Sequence, residues 1–292
     1  MARPYSIAAS AAVELPLVGP TRRATVVATT PVATYVTVDD PEHAILCLAT
    51  ADAVRVPCAL VLQAKTLPPP PPEGTIGTVG GGVMTLAGRS FRVARWWRPP
   101  RPRGLGAAPP SRLAGAVRWL NGRVADPLDS AGQAAVADLV QALAIGASPA
   151  PAVARLLGRG PGLTPTGDDV LAGALVCLNA LGSPAATVLG QAVLAAAPSA
   201  TTTVSAALLR HAARGECVPQ LADLLDAVGG RHGGVGHHGG ADPAAGALPR
   251  AAGALLAVGN CSGAGLLHGV IVALGIAHRR LAQSLVPVPA AA

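Results

Sequence analysis

Hydrophobic positions follow two different periods along this chain. Up to about residue 100 they come in short β-branched runs. Residues 24–38 are rich in Val and Thr with Pro31 as an interruption, 44–48 and 58–62 are apolar runs of strand length, and 91–97 alternates. Residues 75–86 alternate β-branched residues with glycine and predict a hairpin around Gly80-Gly81-Gly82. Residues 68–72 are all proline and predict a rigid polyproline segment. The stretch 98–110, rich in Pro, Arg and Gly, reads as a crossing. After it the spacing turns helical over 111–121, 130–143, 151–157, 168–181, 184–196, 203–213, 220–228, 249–258 and 265–281. The Gly- and His-rich segment 229–246 reads as a mobile loop, and no internal repeat is visible. The expected architecture is α+β: a β-rich domain over 1–105 and a mainly α-helical domain over 111–292.

Two apolar segments raise the question of a membrane. Residues 170–181 are too short to span one. Residues 251–277 are long enough, but they contain Gly259-Asn260-Cys261-Ser262-Gly263 and His268, and no Trp/Tyr belt flanks them. Both read as buried helices. The N-terminal apolar stretch carries one early Arg and is interrupted by Glu14, which is a poor signal peptide. A cytoplasmic protein with no membrane partner is expected.

Composition sharpens this picture. The chain is 51% hydrophobic but only 2% aromatic, so its core must be built from Ala, Val and Leu with close helix contacts. Net charge is +7, and Lys65 is the only lysine among 22 basic side chains. Arginine favours bidentate contacts to carboxylate and phosphate, which suits a small anionic substrate. Nucleic acid is disfavoured, because there is no dense basic run and aromatic stacking platforms are nearly absent. Five cysteines form no CxxC pair, which argues against a disulfide framework and structural zinc.

One loop concentrates the chemistry. Gly160-Pro161-Gly162-Leu163-Thr164-Pro165-Thr166-Gly167-Asp168-Asp169 leads straight into an apolar helix. Helix-start amides with Thr164 and Thr166 suit an anion, and Asp168 with Asp169 could act as base, orient a nucleophile or hold Mg²⁺. A plain capping box also fits, with Thr166 as N-cap and Asp169 at N3. Two further junctions lead hydroxyls or glycines into helices: Thr201-Thr202-Thr203-Val204-Ser205, and Gly259-Asn260-Cys261-Ser262-Gly263-Ala264-Gly265. Convergence of all three on one pocket is the central expectation. Arg155, Arg159 and Arg210 are the best-placed cations. His232, His237 and His238 sit among too many glycines for a supported metal site, His268 reads as a core histidine, and Cys261 has no His or acid near it in sequence to make it a nucleophile. Walker A, HExxH and GxSxG patterns are absent.

The ten-residue loop followed by its apolar helix resembles the signature of the AllH family, with Thr166 where the family usually has Ser. The likeness continues through Thr202-Thr203-Val204-Ser205 with Leu209, and through Gly259–Gly263 before the last helix. It departs where the family often has a hydroxyl in place of Cys261, and an acid near Ala264 and Gly265. Residues 43–62 and Trp96-Trp97-Arg98-Pro99 look like looser landmarks. The resemblance implies a carbamoyltransferase or a subunit of one, acting in allantoin and purine catabolism: oxalurate plus phosphate interconverting with oxamate plus carbamoyl phosphate. It implies companion protein subunits. It also implies Asp168 and Asp169 as catalytic residues, with Mg²⁺ the one candidate cofactor, and Gly162, Thr164, Thr166, Gly167, Thr202, Thr203, Ser205, Asn260, Ser262 and Gly263 as the substrate- or phosphate-binding set. The Ser-Thr-Arg-Thr phosphate motif of aspartate and ornithine transcarbamylases is missing. A non-catalytic ligand-binding or scaffold subunit, or a stand-alone enzyme with another small carboxylate substrate, are the alternatives.

Overall fold

The computed structural model describes residues 4–40, 44–64, 71–231 and 243–284. His43, Lys65, Pro68–Pro70 of the polyproline run, and His232, His237 and His238 lie outside the described residues. The protein is mixed α+β. Its chain divides into two compact units: residues 1–100 with 203–208 and 217–219, and residues 101–202 with 209–216 and 220–292.

The first unit is an eight-stranded closed barrel with strand order β1-β5-β4-β3-β2-β6-β7-β8. The strands are β1 Tyr5–Ser10, β2 Arg22–Thr29, β3 Ala33–Val38, β4 Ile45–Ala49, β5 Ala59–Leu62, β6 Ile76–Gly80, β7 Val83–Leu86 and β8 Arg89–Trp97. The β1–β8 and β4–β5 pairs are parallel and the rest antiparallel, so closure leaves no unpaired edge. Strand β2 alternates buried Ala24, Val26 and Ala28 with half-buried neighbours, as a one-sided core requires. The expected hairpin is present: Gly81 and Gly82 adopt φ of +58° and +75°, the left-handed pair that a tight turn between β6 and β7 demands. Two elements were not anticipated. Tyr5–Ser10 is a strand, with Ile7, Ala8 and Ala9 buried between β5 and β8, and Glu14–Val18 is a short helix, α1. Ala207 joins the barrel's hydrophobic cluster.

The second unit is helical. It holds α2 Pro110–Asn121, α3 Ser130–Ile145, α4 Ala150–Leu156, α5 Thr166–Leu181, α6 Ala185–Ala200, α8 Pro219–Gly229, α9 Pro243–Leu256 and α10 Ser262–Ser284. Helix α7, Thr203–Ala213, is divided between the two units. The ends of the segment read as a mobile loop are helical, closing α8 and opening α9. The crossing 98–110 contains a single 3-10 turn at Leu105–Ala107 and the buried Leu105. Helix α5 is apolar all round and buried on nearly every face, the pattern of a central helix. Against it lies α10, at a separation set by glycine. A Cβ on Gly269 would stand 2.2 Å from the Val170 carbonyl oxygen, and one on Gly173 would stand 2.1 Å from that of Leu266. The low aromatic content and small side chains serve this close approach. Gly269→Ala is therefore expected to force α5 and α10 apart and lower stability by about 1–3 kcal/mol, read from a chemical-denaturation midpoint. An unchanged midpoint would refute the tight crossing. Among the described residues no helix is long and apolar enough to cross a membrane.

Candidate functional site

The loop before α5 is held by its own backbone chemistry. Gly160 has φ +111°, and a Cβ there would meet the Thr166 amide nitrogen at 2.8 Å, so only glycine fits. Thr166 is the first residue of α5 rather than its N-cap, and no side chain caps this helix. The capping box does not form. The hydroxyl of Thr166 instead approaches the Cys261 Sγ at 3.8 Å. The amides of Gly167, Asp168 and Asp169 are already spent: the first donates to the Arg159 carbonyl at 2.8 Å, the other two to that of Pro165 at 2.9 and 3.1 Å. A helix-start amide nest for an anion is thus not what this junction offers.

The twin acids differ sharply. Asp168 Oδ1 accepts the Gly158 amide at 2.8 Å and Oδ2 accepts the Thr201 hydroxyl, tying the end of α4 and the end of α6 to the start of α5. Both of its oxygens serve the scaffold. Asp169 is also buried, but its Oδ2 has no hydrogen-bond partner. Burial pushes its carboxyl up to about 7; the hydroxyls of Ser262 and Thr164 oppose the rise and Asp168 adds to it. A buried carboxyl poised near neutrality, with one oxygen unpartnered, is the chemically notable group of the helical unit.

Around Asp169 the loop and the α10 junction meet. Thr164 Oγ1 lies 2.8 Å from Ser262 Oγ. Gly265, one turn into α10, packs so closely that a Cβ would stand 2.6 Å from Asp169 Cβ. The acid expected by the family pattern near this point would have no room at Gly265. From the α6–α7 turn, the Thr202 hydroxyl donates to the Leu163 carbonyl at 2.6 Å. Within the helical unit, then, Thr164, Thr166, Asp168, Asp169, Thr202 and Ser262 form one connected cluster drawn from three junctions.

The other expected residues stand apart from it. Gly162 and Asn260 are exposed at the rim of their loops. Gly167 and Gly263 serve close backbone approach, to the Leu156 and Leu255 carbonyls at 2.1 and 2.0 Å from a virtual Cβ. Thr203, exposed, and Ser205, buried, belong to the barrel unit. Arg155 is paired with Asp138, and Arg159 contacts Asp129 at 2.9 Å, so both engage carboxylates. His268 Nε2 faces Asp126 Oδ2 at 3.7 Å, and burial lowers its basicity against that carboxylate's pull. Among the described residues no group of three or more His, Cys, Asp or Glu side chains is placed to hold a metal ion.

Comparison with known families addresses the stretch that carries this cluster. Residues 156–274 match the model of the AllH family, oxamate carbamoyltransferase subunit AllH. The resemblance carried by the glycine-rich loop is thereby shown. All three junctions of the AllH pattern lie inside the matched stretch, and the barrel strands lie outside it. The description of the matched family speaks of a subunit of oxamate carbamoyltransferase. No curated protein and no solved structure matches the chain.

Proposed function

We propose that this chain is a subunit of a carbamoyltransferase complex that interconverts oxalurate plus phosphate with oxamate plus carbamoyl phosphate, and that Asp169 moves the proton. The observation that carries the reading is the buried Asp169 carboxyl, with one oxygen unpartnered and two hydroxyls beside it. In the synthetic direction the amide nitrogen of oxamate attacks the carbamoyl carbon. The bond from that carbon to the phosphate oxygen breaks, phosphate leaves, and the surplus N–H proton passes to Asp169. In reverse, phosphate attacks oxalurate and protonated Asp169 returns the proton to the departing nitrogen. A base with a value near 7 matches this two-way duty. Thr164 and Ser262 steady the ionised Asp169 carboxylate through their hydroxyls, and Thr202 holds the loop by its Leu163 carbonyl. Asp168 is a positioning residue. Thr203, Ser205 and Asn260 remain proposed substrate contacts on the strength of the family pattern alone.

A second reading is favoured by the inward-bonded amides of Gly167–Asp169: a non-catalytic subunit that shapes a partner's site. Phosphate-dependent consumption of oxalurate, measured with the companion subunits in the presence and absence of this chain, tests the proposal. Turnover is expected only in its presence. Equal rates without it would overturn both readings. Turnover by the chain alone, on a different small carboxylate, would replace them with a stand-alone enzyme.

A further inference from the structure

The geometry points to a second oxyanion site at the far end of α5, independent of the carbamoyl-transfer reading. There the helical unit contains a cavity of about 470 Å³ lined by Arg101, Arg103 and Arg214 and by the turns at Gly104, Gly182 and Gly215. Among the described residues no carboxylate lines it. Along the helix it lies about 18 Å from Asp169, so one small molecule cannot occupy both.

Three features fit an anion with a carboxylate or phosphate head. First, Arg101 is set in place from behind: its Nε donates to Glu216 Oε1 at 3.1 Å and its Nη2 contacts the same oxygen, which leaves Nη1 for a guest. Glu216 is itself buried and fixed by His211 Nδ1 at 2.5 Å from Oε2. An arginine whose fork is already oriented loses less freedom on binding. Second, Arg103 brings an exposed guanidinium on a glycine turn, Gly104 having φ +72°. Third, two of the carbonyls at the end of α5, which would repel an anion, are engaged: the Gly182 amide bonds the Asn179 carbonyl and the Ser183 amide bonds that of Leu178, each at 3.0 Å. The formally charged side chains that line the cavity are the arginines. A small oxyanion here would bridge the 101–107 segment to the ends of α5 and α7.

Isothermal titration of the full chain with inorganic phosphate and, separately, with oxalate tests this. Saturable binding of at least one is expected, and the better ligand identifies the head group. Arg103→Gln should weaken it about tenfold or more. This substitution spares the fold, because it is the Arg103 carbonyl and not its side chain that takes the bond from Arg231. Asp169→Asn should leave the affinity unchanged. Absence of binding by either ion, equal affinity in R103Q, or loss in D169N with retention in R103Q would each overturn the assignment; the last would place the ion at the hydroxyl cluster instead.

Discussion

Asp169→Asn is expected to lower carbamoyl transfer by the assembled complex about 10²–10⁴-fold, the usual contribution of a positioned acid or base, while the complex still forms. The carboxamide keeps the size of the group but cannot take the proton from the attacking nitrogen. Steady-state kinetics should show the loss in kcat more than in KM, since the contact matters in the transition state. Wild-type transfer to oxamate should rise with pH through about 7 as Asp169 ionises, and the residual rate of D169N should lose that limb. If D169N turned over at the wild-type rate in a complex that still needs this chain, the scaffold reading would stand instead.

The same substitution has a consequence for stability, and its sign is opposite. The folded value of Asp169 is raised, to about 7, above the unfolded carboxylate value of about 3.9. Between those two values the native state binds the proton that the unfolded state has released. The contribution of this group to stability is thus greatest at acid pH and is lost as pH rises through 7. At pH 8 the buried charge costs up to about 4 kcal/mol. D169N should therefore be more stable than wild type at pH 8 and lose the advantage towards pH 4, as followed by urea midpoints. An acid that destabilises the fold it sits in is the pattern expected of a functional group rather than a cap.

Much of this was legible before any coordinates. Strand β2 announced itself by its richness in Val and Thr, β8 by alternation over 91–97, the β6–β7 hairpin by its three glycines, and α5 by the proline and glycine that precede an apolar run. These signals are local, and local sterics decide them. Strand β1 was hidden because Ser6–Ala12 is mostly alanine, a residue with little strand preference; its strand form is imposed by pairing with β5 and β8. The division of labour between Asp168 and Asp169 was also invisible. Adjacent helix residues point about 100° apart, so one finds Gly158 and Thr201 while the other finds Ser262 and Thr164. Which is which depends on neighbours as far along the chain as Ser262. The convergence of the Thr201–Thr202, loop and Ser262 junctions was foreseeable only as a bet on three similar helix starts.

The cluster least legible of all sets up the second large prediction. Arg101 meets Glu216 across 115 residues, and nothing in either local sequence marks the pair. Glu216→Ala is expected to destabilise the chain by about 3 kcal/mol, the lower part of the range for breaking a buried ion pair, since Arg101 is half-exposed and can turn to water. His211 cannot: it is buried, and its Nδ1–H would lose its acceptor. Glu216→Gln, which keeps an acceptor oxygen, should fall between. The pH dependence separates charge from shape. Burial pushes the Glu216 carboxyl up, but the contacts from His211 and Arg101 outweigh it and hold the group below its ordinary value. Its stabilisation is therefore present above about pH 4.3 and lost as pH falls through the lower folded value. Wild type should lose its margin over E216Q in that acid range, with both followed by urea midpoints. A margin that stayed constant down to pH 3 would mean that Glu216 acts by packing alone, and the anchoring of Arg101 by charge would fall with it.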